Sequence, residues 1–181
     1  MFTRHSARSL LLLCLLVATP LLSMAAEPIA ENPRRPPIRS TDRRLRSLLE
    51  EGVRTSPTLR ALVARLHASD VVVYLQCDGP AAPDGRLTFL SSVGGSRYVV
   101  VRMSRFPRMQ QIAMMAHELQ HAVEIAETPA IVDGASLVRE YRRIGYENAW
   151  SQLPGISFDT KAAVRAGEQV LKELMQEDFP Y

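Results

Sequence analysis

The pentapeptide HELQH, His117 to His121, constrains this 181-residue chain more than any other stretch. Two histidines four apart lie one above the other on one face of a helix, so both imidazoles can reach a single ion. Zinc suits such a pair, at Zn–N distances of about 2.0–2.1 Å, with a third protein ligand and one open position for water. Glu118 follows the first histidine, where its carboxylate can take a proton from that water. On a wheel of about 100° per residue, Ile112, Met115, Leu119, Ala122, Val123 and Ala126 fall on one side. His117, His121 and Glu124 fall on the other, with Glu118 at its edge. The expected helix buries its apolar face and turns the histidines toward a cleft. An amphipathic helix with incidental histidines is the plainer alternative.

The flanks read MMAHELQHAV, uncharged apart from the motif's own His and Glu and closed by Val123. In this setting the motif resembles the signature of the zincin metallopeptidases. It is most similar to the gluzincins, the thermolysin-like branch, over about Arg105 to Trp150. The glycine and third histidine of the metzincin continuation do not follow His121. The resemblance implies one zinc ion held by His117, His121 and a downstream glutamate, with Glu118 as general base and proton shuttle. It also implies a peptide or protein substrate, and a sheet over the active-site helix whose edge strand pairs with extended substrate.

Helix geometry ranks the third ligand. From His121 to a helix end near Glu127 is about 9 Å at 1.5 Å per residue. An antiparallel helix returning from about Gly134 recovers that height at Glu140, a His121-to-Glu140 spacing also found in gluzincin aminopeptidases. The same glutamate could instead pair with Arg143 or Arg139 on the surface. Asp159 is an alternative ligand; it precedes a helix with Ala162 and Ala163, where an aspartate also serves as an N-cap. Glu124 is another, one turn beyond His121, where contact with the ligand itself is the more natural role. Glu147 overshoots by more than a turn. Tyr141 and Tyr146 are the nearest tyrosines for an oxyanion donor, and either can equally be a core or rim aromatic. Arg139, Arg142 and Arg143 form a basic cluster that reads as a solvated helix face, or as a site for a substrate carboxylate.

The first 26 residues read as a secretory signal. Arg4 and Arg8 are basic, Leu10 to Val17 is apolar but too short to span a bilayer, and Ser23-Met24-Ala25 offers a cleavage site. A soluble secreted or periplasmic protein, with no membrane span after cleavage, is expected. Without Arg4 and Arg8, 20 basic face 19 acidic residues, a net charge of +1, so the pI near 9.1 is no argument for nucleic acid. Cys77 alone of the two cysteines remains, which excludes a disulfide framework and reads as a structural thiol. Stability must come from one core, which the remaining 155 residues suffice to bury.

Residues 27–40, EPIAENPRRPPIRS, read as a disordered Pro-rich linker, and 41–181 as a single domain. Thr41 or Asp42 caps a helix ended by Gly52; Ser56-Pro57 starts a second, with His67 at its end. Val71 to Cys77 reads as a buried strand, followed by a Gly/Pro/Asp loop. Arg86 to Val93 and Arg97 to Met103 read as a hairpin turning at Gly94-Gly95. The motif helix ends near Glu127 to Pro129. A helix carrying Leu137, Tyr141 and Ile144 on one face follows, then a last helix from Asp159-Thr160 to about Glu177. The fold class expected is α+β: a small, mainly antiparallel three-stranded sheet packed on the active-site helix, with flanking helices. The function expected is a zinc metallopeptidase. A zincin-derived binding module and a metal-dependent hydrolase of a non-peptide amide are the rivals.

Overall fold

In the computed structural model, which describes residues 36–77, 85–147 and 158–178, the chain begins with β1 (Ile38–Arg39), α1 (Arg43–Thr55) and α2 (Pro57–His67). The strands β2 (Val71–Cys77), β3 (Arg86–Val93) and β4 (Ser96–Met103) follow. Then come α3 (Arg108–Glu127), α4 (Gly134–Ile144), β5 (Tyr146–Glu147), β6 (Phe158–Asp159) and α5 (Lys161–Asp178). The described residues belong to one compact unit, Arg34–Tyr181. The expected signal and residues 27–35 of the expected linker lie outside the described residues. The class is α+β, with five helices and a mixed sheet among the described residues.

The sheet has four strands in the order β1-β2-β4-β3, not three in a mainly antiparallel arrangement. β1 pairs with β2 and β2 with β4 in parallel; only β3 and β4 are antiparallel. Two physical reasons account for the difference. The segment from Cys77 to Arg86 is too long for a tight hairpin, so β2 is free to take β4 rather than β3 as its neighbour. Ile38–Arg39, inside the stretch read as linker, adds a short edge strand in register with Val73 and Tyr74, and Ile38 joins the core. The β3–β4 hairpin turns as expected at Gly94 and Gly95, with φ of 59° and 74°, the pair of positive values a type I′ turn needs.

Strand alternation decides which face carries the helices. Val71, Val73 and Leu75 on β2 and Val99, Val101 and Met103 on β4 are buried together with the helical core. Tyr74 and Tyr98 point to the other face, where their rings stack. Among the helices, Asp42 caps α1 by accepting from Arg44 N and Leu45 N. α1 does not stop at Gly52 but runs a further turn to Thr55, because Ser56, extended before Pro57, is what breaks the helix. Gly52 is there for space. A methyl on it would lie 2.5 Å from Leu59 Cδ2 and 2.6 Å from Ile112 Cγ2.

α3 is buried almost all round. Ile112, Met115, Leu119, Ala122 and Val123 face the core as the wheel requires, but Gln111, Ala113, Ala116, Glu118, Gln120, His121 and Ile125 are buried too. The second cover is α5, which packs along α3 antiparallel: Thr160 meets Glu124, and Gly167 meets Ala113. Among the described residues no helix is long and apolar enough to cross a membrane.

Arg97 ties the sheet to the end of α3. Its buried guanidinium donates to both oxygens of Asp70 at 2.7 Å. It also donates to the carbonyls of Ile125 at 2.6 Å, Ala126 at 3.2 Å, Thr128 at 2.9 Å and Ile131 at 3.2 Å. These carbonyls lie at and just past the helix end, where helical donors run out, and those of Ile125 and Thr128 also accept from Thr128 N and Ile131 N. Arg97→Ala is expected to cost about 1–3 kcal/mol in urea denaturation, because it strands buried acceptors while Asp70, 39% exposed, can turn to water. Asp70 is held below its ordinary value of 3.8 by the Arg97 hydrogen bond, against the effect of burial. That stabilisation is complete above 3.8 and is lost as the pH falls through the lower folded value. Asp70→Asn should therefore flatten the acid limb of stability against pH.

Candidate metal centre

α3 supplies two imidazoles and the residue before α5 supplies a carboxylate. Asp159 Oδ1 lies 3.4 Å from His117 Nε2 and 3.7 Å from His121 Nε2. The three ligand atoms all lie within 4.8 Å of one another. Ligand atoms about 2.0–2.1 Å from one tetrahedral ion stand about 3.3–3.4 Å apart, and both Asp159–histidine distances come within a few tenths of an ångström of that spacing. Two imidazoles and one carboxylate suit a first-row divalent metal such as zinc. Side-chain exposures of 20% for His117 and 14% for Asp159, against 6% for His121, put solvent access on the His117–Asp159 side.

Asp159 is not needed as the helix cap because its neighbour does the capping, although its Oδ1 accepts from Thr160 N at 2.7 Å. Thr160 Oγ1 accepts from Ala163 N and the Thr160 carbonyl from Val164 N, which closes the first turn of α5. Two glycines let the backbones come close enough. A methyl at Gly145 would lie 2.6 Å from the Asp159 carbonyl oxygen, and one at Gly167 would lie 3.2 Å from the Ala113 carbonyl and 3.4 Å from His117 Cβ.

Glu124 orients His121. Its Oε2 lies 2.9 Å from His121 Nδ1 and accepts from Tyr141 Oη at 2.9 Å, while Oε1 accepts from Thr160 Oγ1 at 2.6 Å. A donor at Nδ1 leaves the Nε2 lone pair directed at the cluster. Burial opposes a charge on His121, but the Glu124 hydrogen bond and the charges of Glu118, Glu124 and Asp159 prevail, and its pKa is raised. His117 is lowered by burial and by His121, with Asp159 and Glu124 opposing. Glu124 itself is held low; burial works upward, and the His121, Thr160 and Tyr141 contacts overcome it.

Other residues singled out by the sequence fall as follows. Glu118, 3% exposed, is buried close enough for its charge to act on His121. Glu140 is not brought to the histidines: its carboxylate accepts from Arg143. The reckoning failed because α5, not α4, lies along α3; α4 reaches the site through Tyr141, and one residue back is about 100° away around the helix. Tyr141 is buried with its hydroxyl spent on Glu124, and burial and then Glu124 push its pKa well above 10, so it stays a donor there. Tyr146 is 47% exposed and pairs across β5–β6 with Asp159. Ile144 is exposed rather than buried beside Leu137 and Tyr141. Arg139, Arg142, Arg143 and His67 are exposed. Thr160 and the glycines went unforeseen; two adjacent cap-forming residues at Asp159-Thr160, of which a helix needs one, were the available signal.

No family model, no curated protein and no solved structure matches the chain. Asp159→Ala is expected to lower zinc affinity by more than tenfold, and Glu140→Ala to leave it unchanged, in a competitive chelator titration. Glu124→Ala should weaken binding about 10–100-fold, the usual cost of losing a partner that orients a ligand.

Proposed function

We propose that the chain is an exported zinc-dependent peptidase of zincin kind, with His117, His121 and Asp159 as the ligands and Glu118 as the general base. The observation that carries the reading is the convergence of an HExxH pair and a carboxylate from a separate element on one point, with a further buried carboxylate beside it. Zinc, when bound there, would polarise a substrate carbonyl and make water acidic enough to attack at neutral pH. Glu118 takes the proton from that water and passes it to the departing amine. Glu124, Tyr141 and Thr160 hold His121 in the tautomer that presents Nε2. Tyr146, exposed and opposite Asp159, is the nearby tyrosine left to donate to a developing oxyanion. The mixed sheet, packed on the histidine helix and ending in the antiparallel edge strand β3, is compatible with the zincin arrangement, in which extended substrate pairs with such an edge. Export rests on the apolar N-terminal segment after Arg4 and Arg8.

The test compares the zinc-loaded mature chain with Glu118→Gln on a mixed peptide library. Both should bind one equivalent of zinc, and the variant should cleave about 10²–10⁴-fold more slowly, the usual contribution of a positioned general base. Equal cleavage by both proteins removes Glu118 from the mechanism. Stoichiometric zinc without cleavage by either favours a binding module.

A further inference from the structure

Gly85 stands immediately before β3, at the point where the edge strand passes over α3. A methyl there would lie 2.6 Å from Glu118 Oε1, 2.8 Å from Met114 Sδ and 3.0 Å from Met114 Cγ. Residue 85 has the same strand parity as Leu87 and Phe89, both packed against the core, so its side-chain direction is toward the helix. Backbone conformation does not require glycine here, because positive φ among the described residues is confined to Gly94 and Gly95. Space does. At Gly52 the obstructing atoms belong to packed core side chains, whereas at Gly85 they are the carboxylate end of Glu118 and the flexible tip of Met114.

We infer that Gly85 is a positioning residue for Glu118: its missing side chain leaves the volume in which the carboxylate is held beside the histidines. The inference rests on the peptidase reading and deepens it. A methyl at position 85 displaces the end of a flexible side chain before it displaces a strand. Its consequence therefore falls on proton transfer rather than on folding or on the ligands.

Four zinc-loaded proteins test this on a peptide cleaved by the wild type: wild type, G85A, E118D and G85A/E118D. In G85A, kcat should fall about 100-fold, as for a reacting group misplaced by about 1 Å. KM, zinc stoichiometry and thermal midpoint should stay as in the wild type. Aspartate withdraws the carboxylate by one methylene and clears the methyl. In the E118D background G85A should therefore cost less than about threefold, a coupling that contacting residues show and remote ones do not. An unchanged kcat in G85A, an equal cost in both backgrounds, or loss of zinc or of the thermal midpoint in G85A overturns the inference while leaving the peptidase reading standing. A zinc-loaded wild type that cleaves no peptide takes down that reading and this inference with it.

Discussion

Burial of ionisable groups within the helix layer is the constraint on which the rest of the structure depends. Glu118 and His121 are 3% and 5% exposed, so water cannot satisfy them and the protein must. Glu124 answers for His121 by collecting the imidazole, the Tyr141 hydroxyl and the Thr160 hydroxyl on its two oxygens. The three donors come from α3, from α4 and from the start of α5. One carboxylate therefore fastens both flanking helices to the helix that carries the motif. The local low dielectric that strengthens these bonds also makes each costly to leave half made.

The placement of Asp159 then follows from how α5 is held. Near its start, Thr160 meets Glu124 and closes the first turn. Near its other end, Glu173 accepts from Ser56 Oγ at 2.5 Å, Thr58 Oγ1 at 2.7 Å and Thr58 N at 3.2 Å. That sets a carboxylate at the N-terminus of α2, where the helix dipole favours negative charge. Between these two anchors Gly167 lies against α3, and the spacing there admits no added carbon without a shift of a few tenths of an ångström. An aspartate has a short reach, so two backbones must come this close before its carboxylate can lie 3.4 Å from an imidazole on the next helix.

What could be read from the sequence was what is decided locally. The Gly94-Gly95 turn, the Ser56-Pro57 boundary, the buried strand β2 and the extent of α3 each depend on a few adjacent residues. Partner choice over long range was not legible. Nothing in the composition of Val71–Cys77 says that its neighbour will be parallel, and two residues, Ile38 and Arg39, are too few to give a strand pattern. The third ligand failed for the same reason. Counting residues along α3 and back fixes the height of Glu140 only if α4 is the neighbouring helix, and the packing gives that position to α5. Glu124 was readable because it shares a helix with His121, and i to i+3 geometry is local.

Charge bears on which chemistry such a site serves. The carboxylates of Glu118, Glu124 and Asp159 all raise His121, while burial and His121 lower His117. The protein thus gathers more negative than positive charge around two imidazole nitrogens, in a region largely closed to water. A divalent cation between those nitrogens would offset the excess and leave both rings neutral. That argument accounts for Asp159 as a candidate ligand and for Glu124 as the partner of His121. It does not account for Glu118, a further buried carboxylate that lies outside the ligand group. On the proposed peptidase reading, that carboxylate is the group that moves the proton.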